Sequence, residues 1–433
     1  MFLLSVLIFA GCGSADKSSI ILLIVDTVRS DHLGCYGYER NTTPYLDSLA
    51  ANGVRYVNVT AAEPWTLPSA ATVLTGLLPL EHNARRRGDS YFGIDNEATT
   101  LAEYLSRSGY TTAAFFNVIF MNADFGFHQG FDHFDCFSSL GSSSDRNASG
   151  TVDDVFRWVD GLSGDEPLFL AIHLYDPHIT YSPPDSFADL WRDPVYSGEF
   201  DSSWGQRETV VNVNRGEINL SPEDIYNLEA LYDGELAYTD REIGRLLAGL
   251  RERGTANGAL VVVVADHGEE FLDHGKMGHA HSLYQELLSV PLIVSGPGFA
   301  GGQVCSLNVS QADILPTILA WAEEPVPEDL FGLDLRSEEF PVNRVVPSGM
   351  SMEEGYVVTV RRNNLKVHLF DGGNVSFMFD LGSDPGEHEY LDSVDSSLLE
   401  SARYYLATPP VFHPVAVLVE NVFLDALKNL GYI

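Results

Sequence analysis

Positive charge is scarce in this chain. Of 433 residues only Lys17, Lys276, Lys366 and Lys428 are lysines, and 25 basic residues stand against 61 acidic ones, a formal charge of −36. A polyanion needs a basic footprint, so the composition argues against nucleic acid as a partner. The same field repels small anions at long range, so a site for a phosphate or sulfate ester requires local positive charge such as a metal. Cysteine is sparse as well. Apart from Cys12 there are Cys35, Cys136 and Cys305, none in a Cys-x-x-Cys pair, which argues against a zinc ribbon or a redox dithiol. Cys35, in LGCYG, reads as a small buried hydrophobe.

The N-terminal apolar run, Met1–Gly11 (MFLLSVLIFAG), is too short at about ten apolar residues to span a bilayer. It ends at Cys12 and is followed by the small, polar GSADKSS, a pattern that resembles a bacterial lipoprotein signal. The expectation is a lipid anchor at Cys12 and an extracytoplasmic location, in the periplasm or at the cell surface. A buried N-terminal strand or an uncleaved anchor is the alternative.

What is present is a globular chain. An apolar fraction of 45% and this length suit one large α/β domain with a smaller unit. Continuous apolar runs at Ile20–Val25, Leu168–Leu174, Ala259–Ala265 and Pro291–Ser295, with Thr111–Phe116, read as strands buried on both faces. Helices are expected at Thr43–Asn52, from Pro68 to the stop at Gly76, at Thr100–Ser108, over Pro222–Arg253 with a kink or split at Gly234, and at Gln311–Ala320. The alternation predicts a doubly wound α/β sheet flanked by helices. Ser138–Gly150 reads as a surface loop. Beyond Pro341 the pattern changes to Tyr356–Val360 and Leu365–Phe370, a turn at Asp371–Asn374, and Val375–Leu381, a small antiparallel sheet with a last helix at Leu418–Leu430. The predicted division is therefore 1–19 as signal and tether, 20–340 as the main domain and 341–433 as an α+β subdomain.

Polar residues cluster where these strands end, which is where ligands bind in such sheets. Asp26 follows IILLIV, and Asp266-His267-Gly268-Glu269 follows ALVVVVA. An N-cap or a core ion pair would explain either alone, but a carboxylate and an imidazole side by side can ligate a metal. Thr66, in Pro64-Trp65-Thr66-Leu67-Pro68-Ser69, places a hydroxyl at a helix N-terminus, either as a simple cap or facing an anion. Tyr175-Asp176-Pro177-His178 follows LFLAIHL, and His274, His279 and His281 crowd into DHGKMGHAHSLY.

In order, these pieces resemble the sulfatase family of the alkaline phosphatase superfamily: ILLIVDTVRSDHLGCYGYERNTTPYL, PWTLPSAATVLTGLLP, FLAIHLYDPH, VVVVADHGEEFLDHGKMGHAHSLYQE and the terminal LGYI. The resemblance implies an alkaline-phosphatase-like fold and a hydrolase of sulfuric or phosphoric esters. It implies Asp26, Asp266 and His267 as metal ligands, together with Thr66 at the nucleophile position. His178 is implied as a catalytic and anion-binding residue, and His279 or His281 as substrate-binding. The donor set suits Zn²⁺ or Mn²⁺, with Ca²⁺ second. The chain also departs from the family. Thr66 stands where Cys or Ser is oxidised to formylglycine, so no formylglycine is expected. Ala70 replaces the signature Arg, Thr27 the second Asp, and Asn117 a Lys.

Three functions remain open on this basis: a Thr-dependent phosphoric or phosphonic ester hydrolase, or a phosphoglycerol- or phosphoethanolamine-type transferase; a sulfuric ester hydrolase working without formylglycine; and a lipid-anchored binding protein on a decayed scaffold. In each case the partner is a small anionic ester, with membrane contact only through Cys12. Specificity is expected from Asp185–Leu220.

Overall fold

A computed structural model describes residues 17–417 apart from 89, 138–145, 165, 199, 201–205, 353–354 and 371–374. The N-terminal run with Cys12, the turn at Asp371–Asn374 and the helix expected at Leu418–Leu430 lie outside the described residues.

The central sheet has eight strands: β1 Ile20–Val25, β2 Val54–Thr60, β3 Thr111–Phe116, β4 His133–Cys136, β5 Leu168–Leu174, β6 Leu260–Ala265, β7 Leu292–Ser295 and β8 Gln303–Ser310. Their spatial order is β8-β2-β7-β6-β1-β5-β3-β4. Strands β6, β1, β5, β3 and β4 run parallel, whereas β7 is antiparallel to both neighbours, so the sheet is mixed. Every residue of β1, β5 and β6 is buried. Helices cover these strands and the ladder satisfies their backbone, which is why they read as unbroken apolar runs.

The helices that bear on the site are α1 Pro44–Ala51, α2 Thr66–Thr75, α3 Leu101–Arg107, α4 Ala148–Asp160, α5 Pro222–Glu252, α6 Ile314–Trp321 and α7 Ser396–Leu406. Four expectations need correction. Helix α2 starts at Thr66, ahead of Pro68, because Pro is tolerated in a first helical turn. Gly150 is not loop: Asn147 caps α4 by accepting the Gly150 N–H at 2.9 Å. Gly234 does not split α5, a single helix of 31 residues. A Cβ at Gly234 would stand 2.9 Å from Pro183 Cγ, so the glycine serves close approach to a neighbouring loop. Finally, Asp185–Leu220 is not all loop, since it contains short helices at Asp185–Ala188 and Gln206–Asn214.

The small sheet is a four-stranded antiparallel meander of β9 Val346–Met352, β10 Gly355–Arg362, β11 Leu365–Phe370 and β12 Val375–Asp380. A helix that was not anticipated, α7, packs on it. Leu398, Ala402 and Tyr405 of α7 close over Val358, Val360, Val367 and Leu369.

Candidate active site at the carboxyl edge of the sheet

Register sets the site. Val25 pairs with both Leu174 and Ala265, so the first residues beyond β1, β5 and β6 emerge side by side. The Asp26 N–H donates to Leu174 O at 2.9 Å. The next residue, Thr27, sits at φ 53°, a costly conformation for a β-branched side chain. Tyr232 of α5 holds that turn, with its hydroxyl donating to Thr27 O at 2.8 Å and accepting from Arg29 N at 3.0 Å. Asp266 Oδ1 accepts from Thr27 N at 3.1 Å and from His267 N at 2.8 Å, which fixes the carboxylate.

Asp26, Asp266 and His267 each offer a ligand atom, and these atoms lie within 4.8 Å of one another, fully buried. His267 Nδ1 donates to Gly268 O at 2.9 Å, so the neutral ring presents its lone pair at Nε2. That nitrogen is 3.5 Å from Asp26 Oδ1, 3.5 Å from Asp266 Oδ2 and 3.4 Å from Thr66 Oγ1. Both oxygens of Asp26 and Oδ2 of Asp266 are buried without a hydrogen-bond partner among the described residues. Burial, and then Asp266 beside it, push the Asp26 carboxyl well above the usual carboxylate range. Buried carboxylate oxygens without partners are costly, and a divalent cation between them removes that cost. The residues present therefore fit a metal.

Thr66 reaches this place through contacts outside the motifs. Gln311 accepts from Ala62 N at 2.8 Å and donates to Ala265 O at 2.8 Å and Asp266 O at 2.7 Å, which clamps the approach to α2 onto the end of β6. Ser69 Oγ donates to Glu63 O at 2.7 Å. The Glu63 carboxyl accepts from Trp65 Nε1 at 2.9 Å and from Tyr356 of the small sheet at 2.7 Å. Burial pushes its pKa up to about 7 against the downward pull of the Tyr356 bond.

The histidines divide. The ring of His279 lies 4.4 Å from that of His267 and 4.9 Å from that of His178, and Glu269 holds its Nδ1 at 2.9 Å. His178 stacks on Tyr175, with Nδ1 2.9 Å from the Tyr175 hydroxyl and 2.6 Å from Ile179 O. His281 spends both nitrogens on protein, Nε2 on Glu270 at 2.7 Å and Nδ1 on His279 O at 3.0 Å, while its ring lines the adjoining cavity. His274 is turned toward Glu286 and the Glu387 carbonyl.

His173 carries no local signal. It sits inside β5 and reads there as a core residue, yet its Nε2 is 3.3 Å from Asp26 Oδ2, and burial lowers its pKa to about 4. Glu269, Gln311 and Tyr356 were also passed over. Glu269 alone had a local signal, two residues beyond His267. Asn117 is committed to structure: it donates to Thr151 Oγ1 at 3.0 Å and to His173 O, and accepts from Arg146 Nε at 2.8 Å.

Comparison with known proteins bears on the fold and the family. An arylsulfatase of Clostridium perfringens is 26% identical over 380 residues, covering 74% of this chain and 78% of its own. A Delta 4,5-hexuronate-2-O-sulfatase of Bacteroides thetaiotaomicron is 24% identical over 437 residues, covering 91% and 90%. The crystal structure of a phosphonate monoester hydrolase of Agrobacterium radiobacter superposes with a TM-score of 0.72 at 19% identity, over 90% of this chain and 94% of that one. The sulfatase family model matches residues 18–324, so the chain belongs to the sulfatase family and is an ester hydrolase with an alkaline-phosphatase-like fold.

Proposed function

We propose that this protein is a metal-dependent hydrolase of phosphoric, phosphonic or sulfuric esters that works through a covalent intermediate on Thr66. The observation that carries the proposal is the buried convergence on His267 Nε2 of Thr66 Oγ1 at 3.4 Å and of one oxygen each from Asp26 and Asp266 at 3.5 Å. Asp26, Asp266, His267 and Thr66 would hold the cation. When bound, Zn²⁺ or Mn²⁺, with Ca²⁺ second, supplies Lewis acidity that lowers the pKa of the Thr66 hydroxyl and neutralises charge on the ester oxygens.

The chain's own residues then have defined tasks. Thr66, at the first position of α2, gives its hydroxyl proton to solvent and attacks phosphorus or sulfur; a bond forms to Oγ1, the bond to the leaving oxygen breaks, and that oxygen takes a proton from water. With Nδ1 of His178 and of His279 engaged by Ile179 O and Glu269, these two rings donate from Nε2 to the ester oxygens in their imidazolium form. Glu269 fixes the His279 ring. Water then attacks the Thr66 ester at phosphorus or sulfur and releases the anion. Threonine carries no second hydroxyl on Cβ to expel the group, as a formylglycine hydrate does, which favours phosphorus, the centre more readily attacked by water. The relatives' names span both chemistries, sulfate esters and a phosphonate monoester.

The Met1–Gly11 run before Cys12 supports an exported, lipid-anchored protein. Fatty-acid labelling of wild type and Cys12→Ala tests this: label on wild type that the variant lacks is expected, and wild type without label excludes the lipid anchor. The catalytic proposal is tested by metal analysis of purified protein combined with aryl sulfate, phosphate, phosphonate and phosphodiester substrates. Metal bound near one equivalent or more, with chelator-sensitive turnover of at least one ester, is the expected result. No turnover of any ester by metal-loaded protein would favour a binding protein instead.

A further inference from the structure

A cavity of about 340 Å³ opens beside the candidate site, lined by Trp65, next to the nucleophile, and by His279. That volume is within the range of small-molecule sites. It adjoins the chemistry through His279, whose ring lies 4.4 Å from that of His267, and Ala280 N donates to Pro64 O at 3.0 Å, which ties the histidine loop to the lead into α2.

The charge of its wall is opposite to that of the molecule. In a chain with 61 acidic and 25 basic residues, the described lining contains Arg86, Arg215, His279 and His281 and no carboxylate. Arg215 is exposed, and its guanidinium makes no hydrogen bond or ion pair among the described residues. The chain beside it is anchored. Asn214 beside it donates from Nδ2 to Met277 O at 2.9 Å and accepts from Met277 N at 2.8 Å, a clasp between the helix Gln206–Asn214 and the strand that leads to His279. Ser351 also lines the wall. Between these polar points the surface is apolar and ring-sized, formed by Trp65, Tyr91, Met277 and Met350. The rings of Trp65 and Tyr91 meet edge to face at 6.3 Å.

We propose that this cavity receives the leaving group, and that Arg215 with Arg86 selects leaving groups bearing a second anionic substituent on a flat or ring-shaped apolar body. The inference rests on the hydrolase proposal for its placement beside Thr66. It goes further in assigning specificity to two arginines and in naming the chemistry they read. A carboxylate, sulfate or phosphate on the leaving group would meet guanidinium at the cavity wall. The ring face would lie against Trp65 and Tyr91. Because the surrounding field is acidic, an anion gains from these arginines only inside the cavity, which makes the pair a filter rather than a long-range attractor.

The test compares 4-carboxyphenyl with 4-carbamoylphenyl esters of phosphate, phenylphosphonate and sulfate in wild type, Arg215→Gln, Arg86→Gln and Arg215→Lys. The ratio of kcat/KM for charged over neutral ester is expected to fall about fivefold in Arg215→Gln and in Arg86→Gln, and to be largely restored by Arg215→Lys, as suits charge-assisted contacts at a partly solvated wall. Equal loss for both esters, or an unaltered ratio, would overturn the proposal. Calorimetric titration with the leaving phenols, 4-hydroxybenzoate and 4-hydroxybenzamide, separates it from the catalytic reading because binding needs no turnover. Tighter binding of the carboxylate that weakens in Arg215→Gln supports the selection even if no ester is hydrolysed. Hydrolysis with equal affinity for both phenols overturns the selection and leaves the hydrolase standing.

Discussion

Thr66 and Glu63 lie three positions apart and carry different burdens. Thr66→Ala removes the attacking oxygen but leaves Asp26, Asp266 and His267, so turnover should vanish while metal content falls only in part. Kinetics and metal analysis on the same preparation check this, and full turnover in the variant would sink the nucleophile assignment. Glu63 makes its mark on stability. Its folded carboxyl titrates at about 7, pushed up by burial, whereas an unfolded Glu titrates near 4.3. Between those values the folded state holds the proton and the unfolded chain has lost it. Stability therefore falls as pH rises through that window, by an amount on the order of 3 kcal/mol, and levels off above it. Burial also pushes the carboxyls of Asp176, Asp240 and Glu269 up to about 7, so Glu63→Gln, which keeps a neutral hydrogen-bonding group, should remove only the Glu63 share of the slope, as read by urea unfolding at pH 4.5 to 8. A slope as steep in the variant as in wild type would show that Glu63 contributes none of it.

At the scale of elements, the question is how α2 is aimed at the ends of β1 and β6. Gln311 ties three backbone groups from two segments, Ala62 N, Ala265 O and Asp266 O, within 2.7–2.8 Å. Gln311→Ala leaves all three unpaired in a buried place, at about 1–3 kcal/mol for each group that water does not reach. The expected outcome is a loss of at least about 2 kcal/mol in denaturant unfolding together with a fall in kcat, since the Thr66 hydroxyl would lose its fixed distance to His267 Nε2. A variant that unfolds earlier yet keeps wild-type kcat would show that the clamp serves stability alone.

At the scale of the whole molecule, the small sheet is coupled to the catalytic loops through a buried ion pair. Lys366 of β11 lies 2.9 Å from Glu387 and donates to Leu283 O at 2.6 Å; Glu387 also accepts from Gln285 N at 2.7 Å and meets His368 at 3.1 Å. Burial alone would raise the Glu387 carboxyl, but Lys366 and His368 hold it down to about 2. The folded state therefore holds fewer protons than the unfolded chain between about 4.3 and 2. The stabilisation is present above that window and is lost as pH falls through it. Glu387→Gln strands a buried ammonium, so a loss of about 3–5 kcal/mol at pH 7 is expected, with the acid-induced loss across the window correspondingly smaller. Thermal unfolding against pH reads both. An unchanged melting temperature at pH 7 would show that water reaches Lys366.

Local sequence was enough for five of the eight central strands and for the residues at their ends, whereas Val54–Thr60, His133–Cys136 and Gln303–Ser310, only partly buried, carry no continuous apolar run. IILLIV, LFLAIHL and ALVVVVA announce buried parallel strands because a strand covered on both faces has no polar side to show, and Asp26 and Asp266-His267 stand out because a carboxylate at such a terminus needs a partner. Even the candidate nucleophile was legible, since a hydroxyl before a helix is a local arrangement. Helix bounds were less so: Pro68 looked like a beginning but lies inside the first turn of α2, and Gly234 looked like a break but accommodates a neighbouring loop. Nothing local in LFLAIHL sets His173 beside Asp26, because that contact depends on β1 and β5 pairing in one register. Gln311, Tyr356 and the Lys366–Glu387 pair likewise act on partners tens to hundreds of residues away. Which histidine of His274, His279 and His281 turns to the site was decided by Glu286, Glu269 and Glu270, each of which captures one ring. Sequence thus determined which chemical groups end the strands, for these depend on neighbours in the chain; only the tertiary structure decided their orientation and the charge of the cavity beside them, for these depend on groups brought together by packing.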